Sequence, residues 1–513
     1  MEHPVGHNGQ PHLQGGMLML AAIVLAMANF IAVLNMTIAN VTVPNMAGGL
    51  GAGTSQGTWI ITAYAVAEAI TVPLTGWLSA RFGAVRVFVL SVIFFGVFSL
   101  FCGLSTSLTM LIVMRVFQGM TGGPLMALSQ VLLLRIFPKE KAMAAMGLWA
   151  MTTMLAPIIG PVLGGWLTDQ HGWATVFYIN VPMALAIGWI AWMMLKRYEL
   201  PLEKNPVDRV GILLLVVWVG ALQIMLDEGK DLDWFASDKI CILAVVAAIG
   251  FAAFLIWELT EQHPIVDLRV FRHRGFSACM LVLTLGFGAF FAVNVLTPLW
   301  LQYNMGYTPT WAGLVVAWGG ALSIFFAPVA ANASERVDPR WLVFLGVLVL
   351  AGITLWRSGA TTDMTYWQIS IPLLFMGLGF PFFFVPLLGV VMGAVEEKEM
   401  ASASGLMNFI RTLAGAIGTS LVATVWQDKT TYAHAELAGI VATSGDGAQA
   451  LATAGLPRGL ESALVDGLVS VQSLMLATNE LMIVIGLVFF VASFSIWLSP
   501  KPARTVDPNS VGH

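Results

Sequence analysis

Long apolar stretches recur along the whole chain and are separated by short polar or charged links. A helix needs about 20 mostly apolar residues to cross a bilayer, and apolar runs of this length are too long for strands. The pattern therefore predicts an all-α integral membrane protein with 14 transmembrane helices and excludes a barrel. The predicted spans are 17–43, 54–78, 84–104, 107–134, 142–167, 173–195, 209–227, 239–258, 276–301, 309–332, 341–357, 367–394, 402–426 and 475–498.

Composition agrees with this pattern. Of the 513 residues, 58% are hydrophobic and only 10% are charged, whereas roughly 25% of the residues of a soluble protein are charged. Neither a phosphate-binding loop nor a nucleic-acid signature occurs, so we expect no ATP-driven step and no nucleic-acid partner. The eight His and three Cys are scattered without ligand spacing, so no metal, cofactor, disulfide framework or enzymatic activity is predicted.

The positive charges predict the orientation. With a cytoplasmic N-terminus, 17 of the 24 Lys and Arg fall in cytoplasmic segments and five fall outside, as the positive-inside rule requires. We therefore expect cytoplasmic tails at 1–16 and 499–513. The first tail has no Lys or Arg, so no removable signal peptide is expected.

The fifth span contains a segment, 147–165, that is rich in Gly and Pro. Gly160 and Gly164 are four residues apart on one helix face, where they allow a neighbouring helix to approach closely, and Pro161 bends the segment. A bent and closely packed helix among many spans indicates a molecule that rocks. The alternative is a helix that only packs.

Two charged residues lie well inside spans. Glu68 is in the second span, where the lack of water disfavours a charged carboxylate and favours uptake of a proton. The alternative is a Glu68 that faces a wet vestibule and has no part in coupling. Arg115 in the fourth span must find a carboxylate, a carbonyl or water. Either its charge lowers the pKa of a nearby carboxyl, or it makes a structural hydrogen bond between helices.

The second half adds further candidates. Arg411 and Glu480, in the last two spans, are the remaining intramembrane charges and are interpreted as a structural or coupling pair. Aromatic and Met side chains are typical of a cavity that accepts many flat apolar molecules. The candidate cavity residues are Asn35, Glu68, Trp318, Phe383 and Asn408. The link 259–275 is predicted to be an amphipathic helix on the membrane surface.

Four segments, 76–86, 115–119, 147–165 and 172–182, resemble the signature segments of the major facilitator superfamily, in its drug:proton antiporter branch with 14 helices. The likeness covers essentially the whole chain. Within that branch, 123–130, 222–235 and 408–415 are most similar to the Emr-type inner-membrane multidrug pumps.

The resemblance implies a 6+2+6 architecture: six-helix bundles at 17–195 and 276–498, joined by 196–275 with two helices outside the transport path. It implies proton-driven export of hydrophobic drugs across the bacterial inner membrane by alternating access. It also implies a periplasmic adaptor and, through it, an outer-membrane channel. The residues that match conformational motifs are Gly76, Arg81, Gly83, Arg86, Gly160, Pro161, Gly164 and Gly165.

The longest predicted loop, 427–474, falls on the external side and contains helical stretches at 432–442 and 457–472. Long loops in compact folds are usually functional or disordered. We therefore expect this loop to contribute to the adaptor contact.

Two departures from the family pattern matter. Asn35 and Ala80 stand where the family usually has aspartates, and Asn35 cannot carry a proton. We hypothesise that the exchangeable carboxyl has moved to Glu68; the explanation that Asn35 replaces a natural aspartate stays open. Rival functions are export of one dedicated metabolite, such as a siderophore or lipid-like molecule, and a membrane scaffold or sensor that transports nothing.

Overall fold

A computed structural model describes residues 15–137, 142–199, 202, 206–229, 232–262, 264–396, 399–444 and 458–501. These residues form fourteen helices of at least 16 residues, and thirteen described segments are long and apolar enough to cross a membrane. The predicted all-α membrane fold is therefore confirmed. The helices are α1 Gly15–Gly49, α2 Trp59–Phe82, α3 Ala84–Gly103, α4 Leu108–Ile136, α5 Ala142–His171, α6 Asn180–Leu195, α7 Arg209–Glu228, α8 Asp238–Thr260, α9 Arg274–Tyr303, α10 Pro309–Arg336, α11 Pro339–Arg357, α12 Tyr366–Gly393, α13 Met400–Ser444 and α14 Arg458–Ser495.

The helices form two bundles of six and a separate pair. In the first bundle, α2 packs on α4 and α1 packs on α5; in the second, α10 and α11 both pack on α12, and α9 packs on α13. Helices α7 and α8 pack mainly on each other. This is the predicted 6+2+6 arrangement.

The chain ends define two sides of the molecule. Pro500 lies beside Gly275 at the start of α9, and Gln302 near the end of α9 donates to the Val41 carbonyl towards the end of α1, so α1 begins on the same side as the last described residues. We call this the terminal side. The opposite side, where α1, α5 and α9 end, we call the far side.

The predicted external loop 427–474 is mostly helical. Helix α13 continues without a break to Ser444, and α14 already begins at Arg458, so both helices extend beyond the predicted spans. At 1.5 Å per residue, the 18 residues of α13 after 426 add about 27 Å. We call residues 427–444 and 458–474 the far-side arm; residues 445–457 lie outside the described part of the chain.

The link after α8 is not the predicted amphipathic helix. It contains a 3-10 segment of five residues, Leu268–Arg272. Val266, Leu268 and Val270 are buried against the hydrophobic core of the second bundle. These three apolar positions therefore face the protein interior, whereas Phe271 in the same segment is exposed.

The Gly/Pro segment of α5 packs on two neighbours. A Cβ on Gly160 would overlap Thr37 of α1, so this glycine permits close packing inside the first bundle. A Cβ on Gly165 would overlap the backbone at Pro309, and a Cβ on Gly313 of α10 would overlap the Pro161 carbonyl. Helices α5 and α10 thus meet backbone to backbone across the two bundles.

We predict that Gly313→Ala destabilises the protein by about 1–3 kcal/mol, because the added methyl has no room in a packed contact. The matched control is Gly352→Ala in α11, where nothing lies within 4 Å of an added Cβ. Replacing a helical glycine in open space is neutral or stabilising by up to about 1 kcal/mol. Thermal unfolding in detergent compares the two variants, and equal melting temperatures would contradict the close contact.

Candidate functional site

The two bundles are joined by polar contacts on the far side. Each of three contacts links an element of the first bundle to an element of the second. They are Gln302 Nε2 to the Val41 carbonyl at 2.8 Å, Thr310 N to the Asp169 carboxylate at 2.9 Å, and the hydroxyls of Thr62 and Ser420 at 3.4 Å. Because the ends of α1, α5 and α9 take part, the far side is closed in this conformation.

Glu68 lies where α2 packs on α13. We call this contact, which contains Thr62, Glu68, Arg411 and Ser420, the seam. The Glu68 side chain is buried, with 2% exposure, and its Oε2 has no hydrogen-bond partner among the described residues. A buried carboxylate without such partners depends on nearby positive charge.

Two guanidinium groups supply positive charge to Glu68. The charges of Arg411 and Arg115 both act on it, although no described ion pair of 4.0 Å or less joins Glu68 to either. Arg411 is buried on α13 and lies 5.9 Å from the centre of the Phe287 ring. Glu68 therefore has one countercharge in its own bundle, Arg115, and one in the other bundle, Arg411.

The predicted pairing of Arg411 with Glu480 is wrong. Glu480 on α14 is more than half exposed and forms an ion pair with Lys429 of α13 at 2.7 Å. This pair lies in the far-side portion of the two helices. Sequence reasoning missed Lys429 because it was counted as a loop residue.

Arg115 is held by neutral groups inside the first bundle. Its Nε donates to the Ile60 carbonyl at 2.9 Å and its Nη1 donates to Gln118 Oε1 at 2.9 Å. The guanidinium also lies 4.4 Å from the centre of the Tyr64 ring, a favourable cation–π geometry. The contacts match the structural alternative for Arg115, a hydrogen bond between helices α4 and α2.

Asn35 belongs to a hydrogen-bonded chain in the same bundle. Its Oδ1 accepts from Asn180 Nδ2 at 3.3 Å, and that nitrogen also donates to Ser99 Oγ at 3.1 Å. Ser99 in turn donates to the Phe177 carbonyl at 2.9 Å. The chain ties α1, α3 and α6 together, and Asn35 is almost completely buried within it.

A cavity that is partly open to its surroundings lies within the second bundle. Its lining comes from α9, α10 and α12 and is mostly apolar, with three polar side chains. The lining residues are Phe290, Val293, Asn294, Thr297, Val316, Gly319, Gly320, Ser323, Leu373, Met376 and Phe380. An apolar cavity with a few polar groups is the usual form of a small-molecule site.

A buried arginine, Arg357, contacts the lining residue Thr297 from outside the cavity. Arg357, at the end of α11, is 8% exposed, and its Nη2 donates to Thr297 Oγ1 at 2.7 Å. Its Nη1 has no partner, and no carboxylate pairs with it among the described residues. Sequence reasoning missed Arg357 because it ends a predicted span and was counted as an external charge.

The predicted cavity residues do not line this cavity. Phe383 is fully buried in a phenylalanine cluster, 5.6 Å from the Phe287 ring centre, so it belongs to the core. Trp318 donates to the Tyr366 hydroxyl at 3.0 Å, and Asn408 donates to the Ser404 carbonyl of its own helix at 3.0 Å. Asn35 and Glu68 lie in or beside the first bundle, outside the lining.

Comparison with known proteins identifies the family. The model of the Major Facilitator Superfamily matches residues 25–419. The chain belongs to the major facilitator superfamily. It is 44% identical over 428 residues to the multidrug export protein EmrB of Haemophilus influenzae, covering 83% of this chain and 84% of that protein.

Two further relatives match almost end to end. EmrB of Escherichia coli K12 is 40% identical over 96% of this chain and 97% of its own length. The fatty acid resistance protein FarB of Neisseria gonorrhoeae is 38% identical over 96% and 98%. Among solved structures, a bacterial homologue of the human lysosomal transporter Spinster, inward-facing and unoccupied, shares the fold with a TM-score of 0.62. It is 16% identical and covers 96% of this chain and 100% of that one.

In this superfamily member the motif between α2 and α3 is a tight link on the terminal side. Gly83 has a φ of +97°, which favours glycine. The Glu199 carboxylate accepts from the backbone nitrogens of Val85 and Arg86 at 3.2 and 3.0 Å, so it caps the start of α3. Glu199 thus brings a carboxylate to the link in which Ala80 replaces the usual aspartate. Gly76 has open space around it, and Arg81 is exposed.

A second polar cluster lies on the terminal side of the second bundle. His273 Nε2 lies 2.8 Å from the Glu399 carboxylate, and Arg272 Nη2 donates to Glu399 at 2.8 Å and to Glu396 at 3.5 Å. His273, Glu396 and Glu399 offer ligand atoms within 4.8 Å of one another. Because Arg272 already neutralises these carboxylates, the cluster functions as an ion-pair network that joins the start of α9 to the start of α13.

This network predicts a pH dependence of stability. The hydrogen bond with His273, followed by the charge of Arg272, lowers the pKa of Glu399. A carboxyl whose pKa is lower in the folded state stabilises the fold above its unfolded-state pKa, and that contribution is lost as the pH falls through the folded-state value. We expect Glu399→Gln to melt at a lower temperature than the wild type at neutral pH. Melting curves recorded during acidification should converge, and a constant difference would contradict the account.

Proposed function

We propose that this transporter exports hydrophobic compounds across the bacterial inner membrane in exchange for protons, by alternating access. The single observation that carries the proposal is the burial of Glu68 at the seam, with a buried countercharge, Arg411, on the other bundle. The names of the EmrB relatives support multidrug compounds as the cargo.

Exchange requires that the empty carrier does not change its facing state. When Glu68 is ionised, its attraction to Arg411 holds α2 against α13 and keeps the far side closed. A proton on Glu68 removes that attraction, and a substrate that inserts at the seam disrupts it. Only the proton-loaded and substrate-loaded forms then reorient, which is the linkage that coupled exchange needs.

We predict that Glu68→Gln uncouples transport. In proteoliposomes, uptake driven by a proton gradient should fall at least about tenfold, roughly 1.4 kcal/mol of lost coupling. Exchange of labelled for unlabelled substrate should continue, because the neutral side chain mimics the protonated state.

The control for this variant is Glu480→Gln, which removes an exposed carboxylate paired with Lys429 and should keep gradient-driven uptake. Full proton drive in Glu68→Gln would show that the exchangeable carboxyl lies elsewhere. Absence of any substrate-dependent proton flux in the wild type would favour the scaffold or sensor.

A second candidate function is export of one lipid-like acid. Arg357, buried behind an apolar cavity without a carboxylate partner, favours it, and so does the name of the FarB relative. A guanidinium with unused donors suits an anionic headgroup, and the phenylalanines suit an acyl chain.

Arg357→Gln tests this candidate. We expect it to weaken binding of a long-chain fatty acid about tenfold or more, since hydrogen bonds to charged groups contribute about 1.5–3 kcal/mol. Binding of the corresponding neutral alcohol should be unchanged, and Arg357→Lys should restore part of the affinity. Titration of the detergent-solubilised protein compares the two ligands, and equal weakening for both would indicate a purely structural arginine.

We further propose that the far-side arm contacts a periplasmic adaptor protein. Apolar side chains are exposed along both of its helices: Tyr432 and Ile440 on α13, and Leu464 and Leu468 on α14. By the charge distribution the arm lies in the periplasm. Exposed apolar side chains on a projecting helix pair are typical of a protein interface.

Deletion of residues 436–466 tests the adaptor contact. The shortened protein should no longer co-purify with a periplasmic adaptor co-expressed with it, while substrate binding, which depends on the bundles, should persist. Unchanged co-purification would contradict this contact. Loss of both properties would point to misfolding, so Tyr432→Glu with Leu468→Glu provides a version that keeps the full chain length.

A further inference from the structure

Helix α7 is not isolated from the two bundles. It packs against both α2 and α13, the two helices that form the seam. The resemblance placed the extra helix pair outside the transport path, whereas one face of α7 lies against this contact. The polar residues on that face are therefore of interest.

Gln223 is the centre of a buried polar group on this face. It is 3% exposed, and its Nε2 donates to Ser420 Oγ of α13 and to the Asp227 carboxylate at 3.3 Å. One turn further along, Thr424 Oγ1 of α13 donates to the Leu226 carbonyl of α7 at 2.9 Å. These bonds fix the position of α13 relative to α7.

Ser420 extends this group to the first bundle. Its hydroxyl is fully buried and lies 3.4 Å from Thr62 Oγ1 of α2. The sequence of contacts Gln223, Ser420, Thr62 thus crosses three helices on the closed far side. When the far side opens, α2 and α13 separate, and the buried hydroxyls lose each other as partners.

Leaving buried polar groups without partners is unfavourable, so this group stabilises the closed far side. Gln223 is suited to the task because it is anchored on a helix outside both bundles. A helix that served only to pack against its neighbours would need an apolar side chain here. The amide at this position indicates a requirement for hydrogen bonding to Ser420.

We infer that Gln223 is a positioning residue for transport, which holds Ser420 so that α13 closes against α2. The extra helix pair is then a third gating element beside the two bundles. This inference rests on the alternating access proposed above. It adds that the balance between open and closed far sides is set partly from α7.

The experiment measures the distance between α2 and α13 on the far side. Spin labels are attached at Gln56→Cys, just before α2, and Gln427→Cys on α13, both exposed positions, with Cys241→Ala to remove the one native cysteine that is not buried. Distances between the labels are recorded in nanodiscs with and without substrate. Loss of a hydrogen bond of ordinary strength should raise the ratio of open to closed molecules about fivefold in Gln223→Leu.

Two further variants show whether Gln223 acts through Ser420. Ser420→Ala should shift the ratio in the same direction, and the double variant should shift it no further than the larger single effect. Leu213→Ala, at a lipid-facing position of α7, should leave the ratio unchanged. In substrate exchange, Gln223→Leu should change kcat with little change in KM.

The outcomes separate the inference from the function beneath it. If the wild-type distance does not respond to substrate, alternating access at this seam fails. If the wild type responds and Gln223→Leu and Ser420→Ala both match it, only the role of Gln223 is overturned. If the effects of the two variants add fully, Gln223 does not act through Ser420 and the inference is also overturned. Should Gln223→Leu not fold, Ser420→Ala with Thr62→Ala tests the same contacts.

Discussion

The structure depends on one electrostatic constraint, a carboxyl buried between two bundles that must be either neutralised by a proton or balanced by a positive charge. The charges that act on Glu68 are Arg115 in its own bundle and Arg411 across the seam. A countercharge on the same bundle would leave the protonation state of Glu68 without influence on how the bundles meet. A countercharge on the other bundle makes the protonation state of Glu68 and the contact between the bundles depend on each other.

The two bundles differ in how they use their buried polar groups. In the first, Arg115 and Asn35 are tied into hydrogen bonds with neutral partners, so their contacts stabilise the bundle itself. In the second, Arg357 stands behind an apolar cavity and has donors without partners. The two buried arginines thus differ in their surroundings: Arg115 lies in a contact between helices, whereas Arg357 lies next to a cavity.

The fold was predictable because it follows from the lengths of apolar runs and from charges that lie between them. Glu68 and Arg411 were identified for the same reason, since a charge inside an apolar run is conspicuous. Their relation was not predictable: Arg411 was paired with Glu480, because the sequence gives no information on which helices face each other. Lys429 and Arg357 were overlooked because each lies at or beyond the end of a predicted span, where a charge is ordinary. The far-side arm was interpreted as a loop because helices outside the membrane no longer need an apolar sequence.

The most direct test is the distance between α2 and α13 on the far side, measured as a function of pH. A pair of spin labels reports this distance in the substrate-free protein. If ionised Glu68 and Arg411 hold the seam closed, acidification must lengthen the wild-type distance. Glu68→Gln must then show the longer distance at every pH. A wild-type distance that does not change with pH, or a Glu68→Gln protein that follows the wild-type curve, would contradict the central claim.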